Sequence, residues 1–118
     1  MKKIYHLATC DTCKRITKEL QLPSSFEMQE IKQQEITVKE LEQLQELAGS
    51  YEALFSKRAK LYKERGLKDE NLSEDDFKRF LLEHYTFLKR PVVINEDQIF
   101  IGNSKKTVEA AKTSIHNE

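Results

Sequence analysis

The chain's two cysteines stand at Cys10-Asp11-Thr12-Cys13, where the hydropathy pattern changes character. Before them, Ile4-Tyr5-His6-Leu7-Ala8 reads as a short, mostly apolar strand. After them, Cys13, Ile16 and Leu20 recur at helical spacing, with Thr9 or Asp11 available as the cap. A helix that begins at a thiol offers it unpaired backbone N–H groups and positive dipole potential, and both favour a thiolate. Cys10 then stands at the helix start as a nucleophile. Cys13, one turn in and more sheltered, is placed to resolve a mixed disulfide. Two other readings of the pair stay open, inert structural thiols and half of a zinc site. Zinc takes four ligands, and His6, His84 and His116 lie at no tight ligand spacing from the cysteines, so no metal site is expected.

At 118 residues the chain has room for a single domain with one modest core. Its formal net charge is zero, which argues against direct nucleic-acid binding. Apolar residues keep clear periods although 34% of the chain is charged, so a folded domain is expected and not a disordered one. Met1-Lys2-Lys3 runs straight into the first strand with no secretory leader pattern, and no apolar run approaches membrane-spanning length. A cytoplasmic location without membrane partners is the expectation, and a close cysteine pair there is more often redox-active than a structural staple.

Leu22-Pro23-Ser24-Ser25 closes the first helix, and Phe26, Met28 and Glu30-Ile31 then read as a second strand of period two. Strand, helix and strand make a parallel crossover unit. A helical stretch follows. Thr37 with Glu40 forms a capping box ahead of Val38, Leu41, Leu44 and Leu47-Ala48, and Gly49 stops that helix. Tyr51–Phe55 starts another helical piece. The segment from Ser56 to Lys63 is basic and reads as a docking patch or, in preference, a solvated helix face. Ser73-Glu74-Asp75-Asp76 opens a helix whose core face is Phe77, Phe80, Leu81 and His84. Val92-Val93-Ile94 and Ile99-Phe100-Ile101 flank the turn Asn95-Glu96-Asp97 as a hairpin, and Ser104 caps a last helix carrying Val108, Ala111 and Ile115. The order is that of an α/β sandwich with a mixed sheet.

His6, four residues before Cys10, is either a neighbour that favours the thiolate as imidazolium or a surface histidine. Arg58 and Arg90 are candidates to hold a negatively charged substrate through guanidinium forks. Arg90 is better placed, because it precedes Pro91 at a strand start, where an X-Pro bond is able to be cis and to turn the backbone toward the thiol.

Together these stretches resemble the arsenate reductase / Spx branch of the thioredoxin-like superfamily over nearly the whole chain. The resemblance is carried by Ile4-Tyr5-His6 leading to Cys10-Asp11-Thr12-Cys13-Lys14-Arg15, by Leu54-Phe55-Ser56-Lys57-Arg58 running on to Tyr62 and Gly66-Leu67, and by Phe87-Leu88-Lys89-Arg90-Pro91-Val92-Val93-Ile94. It implies a thioredoxin-like (glutaredoxin-like) sandwich with a mixed four-stranded sheet. The whole of residues 1–118 would form that domain, with a helical insertion at about residues 34–87, between strands 2 and 3. It also implies Cys10 as nucleophile with Cys13 and His6 assisting, and Arg58, Arg90 and the cis-proline Pro91 around the substrate. The implied function is a thiol-dependent reductase with no bound cofactor. It would act on an oxyanion or disulfide, with glutathione as a co-substrate and glutaredoxin or thioredoxin as reductant. The alternative is an Spx-like redox-sensing transcriptional regulator that binds RNA polymerase. The chain departs from the arsenate-reductase pattern in having Leu7-Ala8 after His6 in place of Asn-Pro. Near the last strand's Gly102 it has Asn103-Ser104-Lys105-Lys106 where those enzymes place a third arginine.

Overall fold

A computed structural model describes residues 1–117. The chain divides into two compact units, one made of Met1–Gln34 and the chain from Arg90 onward, the other of Glu35–Lys89.

The first unit is built on a sheet of β1 (Lys2–His6), β2 (Glu27–Glu30), β3 (Val92–Asn95) and β4 (Gln98–Ile101), in the order β2-β1-β3-β4. β1 pairs parallel with β2, across the helix α1 (Asp11–Leu20), and antiparallel with β3. β3 and β4 form the hairpin, turning at Glu96, which adopts φ 58°. α1 and the last helix, α5 (Lys105–His116), pack on one face of the sheet. There Ile4, Val93 and Phe26 meet Ile16 and Leu20 of α1 and Val108, Ala111 and Ile115 of α5. These are the residues that the period of 3.6 in the helices and the β-branched runs in the strands single out as core. His116 reaches from the end of α5 to the Leu20 carbonyl at 2.7 Å, tying the two helix ends together.

The sheet corrects the sequence reading at two strands. β1 runs over Lys2–His6 and not Ile4–Ala8, because Leu7 and Ala8 leave the ladder. The Leu7 carbonyl accepts from the Cys10 N–H in a turn, and the Ala8 N–H donates to the Glu30 carboxylate. In β2 the period-two reading makes Met28 a core position, yet Met28 is 49% exposed and its neighbour Gln29 is buried. β2 is an edge strand, and the outer part of an edge strand escapes the cover that central strands receive. Gln29 meets the cost of burying an amide in part, its Nε2 donating to the Gln34 carbonyl at 3.1 Å.

The second unit holds α2 (Val38–Ala48), a 3-10 turn at Glu52–Leu54, the short α3 (Lys60–Glu64) and α4 (Glu74–Glu83). All of this lies in sequence between β2 and β3. The caps are those the sequence specifies. Thr37 and Glu40 exchange side-chain and backbone hydrogen bonds at 3.1 Å each, Ser73 and Asp76 do so at 2.9 and 3.3 Å, and Gly49 ends α2 at φ 94°. A Thr37→Ala exchange is expected to cost about 1 kcal/mol, measured as a lower denaturation midpoint at unchanged denaturant slope.

Phe55 is the centre of this unit. It stacks on Phe87 at 5.2 Å between centroids and lies 4.9 Å from Phe77, 5.8 Å from Tyr62 and 6.3 Å from Phe80. Arg65 covers the cluster, its guanidinium 5.6 Å from the Phe87 ring while both of its terminal nitrogens bond the Glu83 carboxylate. His84 is a further correction. It does not join the core face of α4 but ends the helix with extended backbone at φ −151°, and its Nδ1 accepts from the Thr86 N–H at 3.0 Å. A ring nitrogen that caps the next turn in this way is unavailable for core packing.

Candidate active site

The junction between β1 and α1 places Cys10 itself at the N-cap of α1, where the sequence reading had Thr9 or Asp11. The turn that does this is closed by the Cys10 N–H on the Leu7 carbonyl at 3.1 Å. The Cys10 carbonyl then accepts the first helical bond, from Lys14 N–H at 3.0 Å. The one-residue shift matters chemically. At the N-cap, a side chain faces the open N–H groups of the first turn, whereas a residue inside the turn does not. The sulfur makes no ordinary cap hydrogen bond, so these N–H groups act on it as polarising donors.

Cys10 is partly exposed and Cys13 is buried, 1% exposed, and both are free thiols. The two environments push the thiols in opposite directions. Burial works against a charged Cys10. It is outweighed by the Cys13 N–H and thiol, the Thr12 N–H and the positive charge of Arg90, which together hold Cys10 below the ordinary thiol range. Cys13 is pushed up to about 11, by burial first and then by the adjacent Cys10, whose negative charge opposes a second one and whose sulfur keeps the Cys13 proton engaged. Of the two sulfurs, the outer one is thus the one that loses its proton more readily.

Arg90 is half-buried and precedes Pro91 across a cis peptide bond, immediately before β3. The Pro91 carbonyl accepts from Gly102 N–H at 2.9 Å, which ties the end of β4 to this corner. Gly102 sits at φ 92°, a conformation that favours glycine. After it, Ser104 caps α5 and leaves Lys105 and Lys106 exposed.

His6 ends β1 half-buried and is the register partner of Glu30 at the end of β2. The Glu30 carboxylate accepts from Ala8 N–H at 2.8 Å, and from Lys32 and Gln33 N–H at 2.6 and 2.9 Å. These donors lower its pKa, Ala8 most of all, and the charged form of His6 adds to them. Reading the sequence did not single out Glu30, because its partner Ala8 lies 22 positions away and a glutamate in a charged chain carries no signal of its own. Arg58 belongs to the second unit. It is exposed, in the turn before α3, where its N–H donates to the Ser56 hydroxyl at 3.3 Å. The first unit thus brings together Cys10, Cys13 and Arg90-Pro91, with His6 beside Glu30. Among the described residues, no group of three or more His, Cys, Asp or Glu is arranged to hold a metal ion, and no helix is long and apolar enough to cross a membrane.

Known proteins share this fold. An arsenate reductase from Vibrio cholerae superposes with a TM-score of 0.77 at 25% identity, over 93% of this chain and 96% of that one. A Staphylococcus aureus protein solved in solution gives 0.75 at 28% identity, over 93% and 97%. Among curated proteins, the global transcriptional regulator Spx 2 of Bacillus anthracis is 28% identical over 105 residues, 86% of this chain and 79% of that protein. The fold is thus thioredoxin-like, with its helical segment between β2 and β3. The model of the ArsC family matches residues 5–111, a span that runs from β1 through the Cys10 junction and the Arg90-Pro91 corner into α5, and the chain belongs to that family.

Proposed function

We propose that this protein is a thiol-dependent reductase of the cytoplasm, with Cys10 as its nucleophile. The observation that carries the reading is the opposite displacement of the two thiols, a lowered Cys10 at the helix start and a raised Cys13 one turn in. With a disulfide substrate, the Cys10 thiolate attacks one sulfur, forms a mixed disulfide and expels the other sulfur as a thiolate. Cys13 then loses its proton and attacks Cys10, releasing the second thiolate and leaving a Cys10–Cys13 disulfide. Glutathione, glutaredoxin or thioredoxin returns the pair to two thiols, being oxidised in turn. Once Cys10 is in the mixed disulfide its negative charge is gone, and with it one of the effects that hold the Cys13 proton. With an oxyanion substrate the same thiolate bonds the central atom and expels one protonated oxygen as water. Cys13 then attacks the Cys10 sulfur, so that the central atom leaves reduced by two electrons and a Cys10–Cys13 disulfide remains for the reductant. Arg90, and Arg58 by the family resemblance, hold negative charge meanwhile. His6 assists the thiolate. No bound cofactor is needed for either route.

The test is alkylation of Cys10 across pH, followed by turnover assays with each reductant system. A thiol reacts as its thiolate, so reactivity falls as pH drops through the Cys10 midpoint, and a lowered midpoint leaves more thiolate near neutrality. The expected midpoint lies below the free-thiol value of about 8.5. An ordinary midpoint, together with no turnover of disulfide or oxyanion in any reductant system, would overturn the reading.

A second reading has one observation in its favour, the similarity to a global transcriptional regulator. In that reading the Cys10–Cys13 pair is a redox switch and RNA polymerase is the partner. Capture of polymerase that changes with oxidation state supports it, and equal absence of capture in both states counts against it.

A further inference from the structure

We propose that Glu30 is a positioning residue for the nucleophile, clasping the β1–α1 loop through the Ala8 N–H so that Cys10 stays at the helix N-cap. The inference rests on the reading of Cys10 as an activated thiol and deepens it.

The loop from Leu7 to Cys10 is anchored at its start, where the Leu7 side chain is buried and its N–H donates to the Cys13 sulfur, and is open beyond it. Leu7 and Ala8 have left the sheet, Ala8 and Thr9 are exposed, and the turn is closed by the Cys10–Leu7 backbone bond. The Ala8 N–H is two residues before the thiol. Its acceptor is a carboxylate fixed on a strand end, with His6 of β1 as its register partner. The other carboxylate oxygen bonds the Lys32 and Gln33 N–H groups, and the Ile31 N–H donates to the His6 carbonyl at 3.0 Å. Glu30 is thus held from behind by the turn after β2 and reaches forward to the catalytic loop with its free oxygen. Through space, its negative charge disfavours a nearby thiolate. A contribution that favours the Cys10 thiolate must therefore come from placement, and this gives the test a sign.

Glu30→Gln makes the lesion selective. Both carboxylate oxygens are acceptors only, whereas an amide has one acceptor and one donor. The amide keeps its oxygen on the Lys32 and Gln33 side, where two N–H groups need it, and turns its NH2 toward the Ala8 N–H. The β2 turn survives and the loop is released. The readout is the pH profile of Cys10 alkylation in the unmodified protein and in the variant, with Cys13, buried in the unmodified protein, as an internal marker that the core is intact.

The expected result is a Cys10 midpoint raised by up to about one unit, with up to about tenfold slower alkylation at neutral pH, while Cys13 stays unreactive. A midpoint that is unchanged, or that falls as simple removal of a negative charge requires, overturns the clasp and leaves the reductase reading intact. An ordinary midpoint in the unmodified protein overturns both. Should the variant lose its fold, amide exchange in the unmodified protein decides. Ala8, Lys32 and Gln33 should lose protection together as Glu30 is protonated at acid pH. An Ala8 amide unprotected at neutral pH would refute the clasp.

Discussion

Cys10→Ser is expected to abolish turnover, lowering it by at least about a thousandfold, because a serine hydroxyl stays protonated in the setting that ionises the thiol. Cys13→Ser is expected to behave differently, and the difference separates two roles of Cys13. Its backbone N–H is untouched by the exchange and a serine hydroxyl still donates to the Cys10 sulfur, so the alkylation midpoint of Cys10 should move little. The covalent step is what the variant lacks. With a disulfide substrate, Cys13→Ser should stall as a mixed disulfide on Cys10, detectable by intact mass, and turn over only as fast as external glutathione resolves it. If Cys13→Ser runs at the unmodified rate without glutathione, Cys13 is not the resolving thiol. If Cys10→Ser retains turnover, the nucleophile lies elsewhere.

The largest expected loss of stability is at Phe55. Its ring is 1% exposed and in contact range of four other aromatic rings, from the 3-10 turn itself to α3, α4 and the turn at Tyr85–Phe87. Phe55→Ala removes the apolar burial, leaves a cavity and breaks a stacked pair, for an expected cost of about 3–5 kcal/mol. Phe55→Leu keeps most of the volume and should cost about half of that or less. Denaturant midpoints for the two variants measure the difference. A loss below about 1 kcal/mol for the alanine would mean that the cluster collapses around the gap and that Phe55 is not its centre. Rim pairs such as Lys57 with Glu52 are exposed on both sides and belong to the class of ion pairs that contribute little.

The local features were legible because their causes are local. Thr37 with Glu40, Ser73 with Asp76, and Ser104 ahead of α5 satisfy N–H groups within three residues of themselves, so spacing alone identifies them. The hairpin at Asn95–Asp97 and the core stripe of Cys13, Ile16 and Leu20 follow from residue type and period in the same way. So does the placement of the two cysteines at a strand-to-helix junction, which is the greater part of the candidate site.

What tertiary structure alone decided depends on partners distant in sequence. Met28 and Gln29 exchanged their expected places because β2 became an edge strand, a fact of sheet order that no strand carries within itself. Leu7 and Ala8 left β1 and Cys10 became the N-cap, in a loop whose Ala8 N–H is accepted by a carboxylate from another strand. The raised Cys13 needs its burial in the folded chain, whereas the lowered Cys10 owes most to the nearby Cys13 and Thr12 donors, with the distant Arg90 adding a smaller share. Sequence determined which thiols meet a helix start, since capping and periodicity act over a few residues. Only the assembled fold buried Cys13 and brought the Arg90 charge to the pair, since desolvation and Coulomb attraction act through space.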